Sequence, residues 1–299
     1  MNPASDTPRN ITIGILGGTG PFGRPFIREF VAQGLTVRIL TRTPGPITAR
    51  FPGADVRQGS MMVVDDVCRL LDGAAGGLLI TPVGWNDDTA IELKAARVAV
   101  AAARRVGLPH LIYVSLIQPS YPTGVPLLDV KRDIENEIAT SGIPWSSLRT
   151  GCYMDAWLAF LPFFMKRGFY LFPLPSRHHF SFTSEPDVAR VAALLIRNGQ
   201  ILNGPVDLVE SRPRTLQEVV GVYEKSTGRR LHLSGSWILP VLKILRPVVF
   251  RWAFPTGASR VRLLGYFDRH DWVGNSEQIR QAIPGFEPVS MEDHMRTKC

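Results

Sequence analysis

An α/β fold built on a doubly wound parallel sheet, with a smaller C-terminal α+β domain, is predicted by three features of the sequence. Short β-branched runs alternate with amphipathic helical stretches through the first half of the chain. A cluster of glycines stands between the first such run and the first helix. The alternation breaks after Thr150, where the chain turns aromatic and proline-rich.

Taken in order, Ile11 to Leu16 is short and β-branched, as a buried strand should be. Phe22, Phe26, Ile27, Phe30 and Val31 then fall on one face of a helix that Gly34 ends. Thr36 to Thr41 is a second strand and Ala54 to Gln58 a third, followed by a helix over Val64 to Leu71. Gly77 to Thr81 is a fourth strand, and Asp88 to Val106 a long Ala-rich helix. His110 to Ser115 is a fifth strand, Leu127 to Thr140 a helix, and Pro144 to Leu148 a sixth strand. Such alternation implies a parallel sheet covered on both faces. Further on, helices are expected over Glu185 to Arg197, Thr215 to Ser226, Ser236 to Ala253 and Ser276 to Ala282, with one more strand near Val206 to Val209. No repeat or low-complexity linker intervenes, so the boundary between domains 1–150 and 151–299 is a change of pattern.

A hydrophobic content of 45% with 20% charged residues is that of an ordinary globular chain. Met1 to Arg9 is polar, and reads as neither a signal nor a transit peptide. Three distant cysteines, Cys68, Cys152 and Cys299, suit a reducing compartment, so a cytoplasmic location is expected. Trp157 to Pro175 and Trp237 to Phe254 are apolar but interrupted by prolines and by basic residues such as Lys166 and Arg246. A spanning helix needs about 20 nearly uncharged residues. The two stretches read instead as pocket walls, a homodimer contact or a surface touching lipid. The net charge of +8 is concentrated in the second half, with ten cations against Glu218 and Glu224 between Arg212 and Arg262. No nucleic-acid motif accompanies them. The six histidines show no metal-ligand spacing beyond the adjacent His178–His179 pair, and Gly-x-Ser-x-Gly is absent.

Chemistry enters at Gly17-Gly18-Thr19-Gly20-Pro21-Phe22-Gly23, whose outer glycines fit G-x-x-G-x-x-G. Between a strand and a helix, such a turn lets backbone N–H groups face a pyrophosphate, as in Rossmann sheets. A P-loop is excluded, because Arg24-Pro25 follows where Lys-Ser/Thr is required. An NAD site would carry an acid at the end of the second strand. Here Thr41-Arg42-Thr43 stands there, with Arg42 suited to a 2′-phosphate, so NADP(H) is the expected cofactor.

These residues resemble the NmrA-like branch of the atypical short-chain dehydrogenase/reductases, which includes isoflavone-reductase-like enzymes. The resemblance covers about residues 11–295. Besides the glycine turn it rests on Val37 to Arg42, Tyr113-Val114-Ser115, Lys131 with Glu135, Ser141 to Arg149, and Phe180 to Ala189. It implies that Gly17, Thr19, Gly20, Pro21, Phe22 and Gly23 surround the pyrophosphate and that Arg42, beside Thr41, takes the 2′-phosphate. It further implies Gly59 and Ser60 by the adenine, Thr81 and Pro82 along the ribose, Lys131 at the nicotinamide ribose, and Thr150 and Gly151 at the nicotinamide. Tyr153 and Met154 are then expected to face the substrate cleft.

The departures are informative. The larger reductase family uses Tyr-x-x-x-Lys, but Leu127 stands four residues before Lys131. Thr150 replaces a proline often seen in the branch, and Ala156 an asparagine. Ser115 remains to polarise a carbonyl. Three donors are open: Lys131, if desolvation brings it toward neutrality, Tyr153 across the cleft, or Tyr121 after the fifth strand. The expected function is NADPH-dependent reduction of an apolar, aromatic or polyketide-like carbonyl or activated double bond. Its cleft would be lined by Trp85, Tyr153, Met154, Trp157, Phe160, Phe163 and Phe164. The alternatives are a non-enzymatic NADP(H)-sensing regulator of a protein partner, or a redox-neutral isomerase or epimerase on bound NADP.

Overall fold

The chain is described here from a computed structural model covering residues 11–20, 23–82, 89–118, 121–155, 169–170, 178–230, 232–233, 262–263 and 265–298. Six strands come from the first half: β1 (Thr12–Leu16), β2 (Thr36–Thr41), β3 (Ala54–Gln58), β4 (Gly76–Leu79), β5 (Leu111–Leu116) and β6 (Trp145–Thr150). Between them run α1 (Arg24–Ala32), α2 (Pro44–Arg50), α3 (Val64–Leu71), α4 (Ala90–Arg105) and α5 (Pro126–Ala139). After residue 150 come β7 (Cys152–Tyr153), β8 (Phe169–Tyr170), β9 (His179–Phe180), β10 (Phe182–Thr183), α6 (Glu185–Arg197), β11 (Gly204–Leu208), β12 (Arg214–Thr215), α7 (Leu216–Thr227), β13 (His232–Leu233), α8 (Glu277–Ala282) and α9 (Met291–Lys298).

The main sheet has the order β11-β6-β5-β4-β1-β2-β3, and every pairing in it is parallel. The order reverses between β1 and β4, the topological switch point where open α/β sheets bind ligands at the carboxyl ends of their strands. Ile13, Ile15, Val37, Ile39, Leu78, Leu79, Leu111 and Ile112 are fully buried, because helices cover both faces. On one face pack Phe26, Ile27 and Phe30 of α1 with Val188, Val191, Ala192 and Leu195 of α6. The other face carries Val67, Leu70 and Leu71 of α3, Ala96, Ala99 and Ala103 of α4, and Ile134 and Ile138 of α5.

Glycines in the strands set how close these helices come. Gly14 and Gly77 are register partners across β1 and β4, and a Cβ at either would lie 2.8 or 3.0 Å from Cδ2 of Leu71. A Cβ on Gly76, which faces the other way, would lie 3.0 Å from Cδ1 of Ile196 in α6. The missing side chains form a notch on each face, and one helix seats in each.

Where the structure departs from the sequence expectations, local causes are visible. Helix α2 was not anticipated, since Pro44, Gly45 and Pro46 look like breakers; Pro44 opens it, where its missing N–H costs nothing. α1 begins at Arg24 with Gly23 as its N-cap, and Val31 turns outward at 37% exposure. α9, rich in charge, was also not anticipated. Ser236 to Ala253 lies outside the described residues, as does Trp157 to Pro175 apart from β8. Among the described residues no helix is long and apolar enough to cross a membrane.

The sheet continues past residue 150. β11 pairs with β6 from Gly204↔Ser146 to Leu208↔Thr150, and α6 is its crossover helix. A separate core gathers Met154, Phe180, Phe182, Leu216, Val219, Phe267, Trp272, Met291 and Met295. Trp272 Nε1 donates to the carbonyl of Ile117 at 3.0 Å, fastening this core to the end of β5. β7 pairs with β10, β9 with β12 and β8 with β13 in small two-stranded ribbons.

One ion-pair network closes the C-terminal region. Arg214 donates through Nε to both oxygens of Glu210 (3.1 and 3.0 Å) and through Nη1 and Nη2 to Glu292 of α9 (2.8 and 2.6 Å). Burial pushes the Glu210 carboxyl up to about 7, against the opposing pull of Arg214 and of the Met291 N–H. A carboxyl raised in the folded state favours folding below its unfolded value of about 4.5 and loses that contribution as pH rises through about 7. Glu210→Gln is therefore expected to flatten the fall of melting temperature between pH 5 and pH 8 relative to wild type. Parallel profiles for the two proteins, measured by calorimetry, would contradict this.

Candidate dinucleotide and catalytic site

The glycine turn sits at the carboxyl end of β1, against the end of β4. Gly17 has φ +79°, and a Cβ there would lie 2.1 Å from the carbonyl oxygen of Ile80. A Cβ on Gly23 would lie 2.5 Å from the Gly17 carbonyl oxygen and 2.5 Å from the Gly18 Cα. The turn is folded tightly on itself, with Gly20 N–H donating to Gly17 (3.2 Å) and Gly23 N–H to Gly20 (3.1 Å). Gly20 differs: among the described residues, a Cβ there would meet only the Gly17 oxygen, at 3.4 Å, an ordinary contact. Gly17 and Gly23 shape the turn, while Gly20 is not crowded by any other described residue. The first turn of α1 carries no acid, which leaves its N-terminal dipole unopposed. Arg24 adds a cation there, its Nε donating to the Thr19 carbonyl at 3.1 Å. Pro21 and Phe22 lie outside the described residues.

Around β2 and β3, most guanidinium groups are already paired. Arg38 donates to the carbonyls of Leu70 (3.3 Å) and Asp72 (2.5 Å), Arg57 pairs with Asp55 (2.8 Å), and Arg69 pairs with Asp66. Arg42 is exposed at the end of β2 and makes no hydrogen bond or ion pair with any described residue. Thr41 is buried, its hydroxyl accepting from the Thr43 N–H at 3.3 Å. Next to it, the Gly59 N–H donates to the Thr41 carbonyl (2.9 Å) and the Ser60 N–H to Asp66 (2.8 Å).

Lys131 is on α5, with its ammonium turned under the end of β4. Its Nζ donates to Glu92 Oε2 at 2.5 Å and to the Thr81 hydroxyl at 3.0 Å, and that hydroxyl donates to the same carboxylate oxygen at 3.0 Å. The two side chains are 7% and 0% exposed. Lys131 is therefore not the unpaired amine that a proton-donor role by desolvation requires. Glu92 was missed in the sequence, although a signal was present. It shares the buried face of α4 with Ala96, Ala99 and Ala103, and an acid on such a stripe calls for a buried partner.

Ser115 is buried at the end of β5, its hydroxyl accepting from Gln118 Nε2 at 3.3 Å. The Thr150 hydroxyl donates to the Ser115 carbonyl at 3.0 Å, so it ties β6 to β5. Gly151 N–H donates to the Thr183 hydroxyl at 2.8 Å, and a Cβ on Gly151 would lie 2.2 Å from the Ser181 carbonyl oxygen. Pro82 is half-buried beside Thr81. Tyr153 is also half-buried, and burial holds its phenol above its ordinary range, with a Thr150 hydrogen bond opposing and the Glu185 charge adding. Met154, expected in the cleft, is instead fully buried in the C-terminal core with Phe180 and Phe182. Tyr121 is 51% exposed and hydrogen-bonds Tyr266, whose phenol is pushed up to about 12, mainly by burial. The His178–His179 pair is held by Asp271, with His178 Nδ1 at 2.9 Å. Trp85, Trp157, Phe160, Phe163 and Phe164 lie outside the described residues. A surface cavity of 430 Å³ lined by Ile11, Thr12, Leu71, Ala75 and Pro109 opens at the amino ends of β1, β4 and β5, at the opposite end of the strands from these groups.

Comparison with known proteins agrees with the fold. Over 150 residues the chain is 34% identical to (4-alkanoyl-5-oxo-2,5-dihydrofuran-3-yl)methyl phosphate reductase of Streptomyces griseus, a match that spans 50% of each protein. A nucleoside-diphosphate-sugar epimerase from Staphylococcus aureus shares the fold with a TM-score of 0.79 at 16% identity, covering 96% of this chain and 99% of that one. The Citrobacter sp. triphenylmethane reductase complexed with NADP(H) does so at 0.76 and 19%, covering 96% and 100%. The model of the NmrA-like family matches residues 9–260, the stretch holding the glycine turn, Arg42 and the Lys131–Glu92 pair, and the chain belongs to that family.

Proposed function

We propose that this chain is an NADPH-dependent reductase that acts on an apolar, aromatic or polyketide-like, carbonyl or activated double bond. The observation that carries the reading is Arg42. It is an exposed guanidinium without a partner among the described residues, it stands at the end of β2 where an NAD-binding chain would carry an acid, and it lies one strand from the glycine turn. The turn itself fits a dinucleotide, since its two shaping glycines leave no room for a Cβ while Gly20 is uncrowded among the described residues.

On this reading Gly17, Thr19, Gly20, Pro21, Phe22 and Gly23 hold the pyrophosphate, and Thr41 and Arg42 the 2′-phosphate. Ser60 lies by the adenine, Thr81, Pro82 and Lys131 along the ribose, and Thr150 and Gly151 at the nicotinamide. The bound nicotinamide supplies the hydride. Ser115 orients the acceptor oxygen, and Tyr153, in β7 just beyond β6, supplies the proton. Residues 1–150 hold the dinucleotide, residues 151–299 the substrate, and the enzyme works in the cytoplasm.

A second reading, a non-enzymatic NADP(H)-sensing regulator, is favoured by Leu127 in place of the tyrosine and by the pairing of Lys131 with Glu92. A redox-neutral isomerase is separated from the reductase by stoichiometric loss of NADPH absorbance with substrate.

Calorimetric titration tests the shared core of these readings. NADPH is expected to bind at least about tenfold more tightly than NADH, a gap of roughly 1.4 kcal/mol, and Arg42→Ala to erase the difference. If neither dinucleotide binds, reductase and sensor both fall. Gly17→Ala is expected to lower stability by about 1–3 kcal/mol through the forced contact with the Ile80 carbonyl, and to abolish NADPH binding. Wild-type melting temperature and affinity in that variant would refute the turn assignment.

A further inference from the structure

Three elements bring their polar side chains together in a closed set beneath the ends of β4 and β5. Thr81 follows β4, Glu92 comes from the first turn of α4 and Lys131 from the middle of α5. Glu92 Oε2 accepts from both Lys131 and Thr81, while Oε1 is buried with no partner among the described residues. Tyr113 of β5 faces the set with its phenol held above its ordinary range by burial and by the Glu92 charge, a Thr81 hydrogen bond opposing and Glu135 of α5 adding more weakly. The acidic groups facing Lys131 are thus Glu92, in direct contact, and the neutral Tyr113.

This arrangement decides between two roles for Lys131. As a proton donor it would have to lose its proton in each turnover, leaving the Glu92 carboxylate buried and unpaired, a strongly unfavourable state. As a fixed cation it needs what the structure supplies: a counter-charge that keeps it ionised and a short contact that directs its flexible stem. We propose that Glu92 is a positioning residue, which holds Lys131 as a permanent, directed cation at the dinucleotide site and thereby excludes it as the proton donor. The inference rests on the dinucleotide reading above.

The test is the NADPH affinity of wild type, Glu92→Gln and Glu92→Asp between pH 6 and pH 9, with folding verified by circular dichroism. Gln preserves shape but removes the charge, so the buried ammonium loses its proton more readily as pH rises. Glu92→Gln is expected to bind within about threefold of wild type at pH 6 and about tenfold more weakly at pH 9. Glu92→Asp, which keeps the charge, is expected to track the wild-type pH dependence. A Glu92→Gln affinity reduced by one constant factor at every pH, or not reduced at all, overturns the proposal, since a merely structural glutamate gives no pH-dependent ratio. If Glu92→Gln does not fold, the double variant Glu92→Gln/Lys131→Met leaves no buried charge and is expected to bind about tenfold more weakly at all pH values. Wild-type affinity in the double variant overturns the proposal, because Lys131 then holds nothing. A wild-type protein that binds no NADPH at any pH brings down the dinucleotide reading itself, and this inference with it.

Discussion

The carbonyl of Ile80 lies against the backbone of Gly17, so close that any side chain at residue 17 would collide with it. That contact joins the ends of β1 and β4, the two strands between which the sheet reverses direction. Much else follows from it. The turn must close on itself within a few residues, which Gly23 permits by packing on Gly17 and Gly18. The chain then enters α1 with its N-terminus beside the crevice, and Leu71 can seat in the notch left by Gly14 and Gly77 just below. Backbone proximity at the switch point, more than any single side chain, fixes where a ligand can lie.

Buried charge is distributed with similar economy. Lys131 with Glu92 and Arg149 with Glu135 link separate elements, Arg214 joins its near neighbour Glu210 to Glu292 of α9, and the carboxyls of Glu92, Glu135 and Glu210 are almost wholly buried. Such pairs add little net stability over apolar residues of similar size, but loss of one partner costs about 3–5 kcal/mol. They therefore fix register and placement. Arg149 Nη2 donates to Glu135 at 2.6 Å and the Ser147 hydroxyl reaches the same carboxylate at 2.7 Å, so α5 is pinned to β6 at the level that sets the height of Lys131. Arg42 stands outside this economy: it is exposed and pairs with no acid among the described residues.

The parallel sheet was legible because its strands are buried on both faces and so appear as short β-branched runs of distinctive period. Every one of the six early strands lies within about two residues of its expected place. α2 was not legible, since two prolines and a glycine mask a helix that uses Pro44 as its opening residue. In the candidate site, the sequence points to the glycine turn and Arg42 because backbone chemistry and a missing acid leave marks in local sequence. The partner of Lys131 was not, since 39 residues separate it from Glu92 and only the fold brings them together. Met154 failed for a related reason: its position after β7 says nothing about which of two cores its side chain enters.

The pairing of β11 with β6 carries a consequence for how the chain folds. A polypeptide ending at residue 150 would leave β6 as an open edge, with Leu148 stripped of the strand and crossover helix that now cover it. Half of one helical layer, Val188 to Ile196, would be missing as well. The main sheet is thus completed by a strand made well after its first six. On the ribosome the early strands must wait, aggregation-prone and incompletely shielded, for more than fifty further residues before the layer closes.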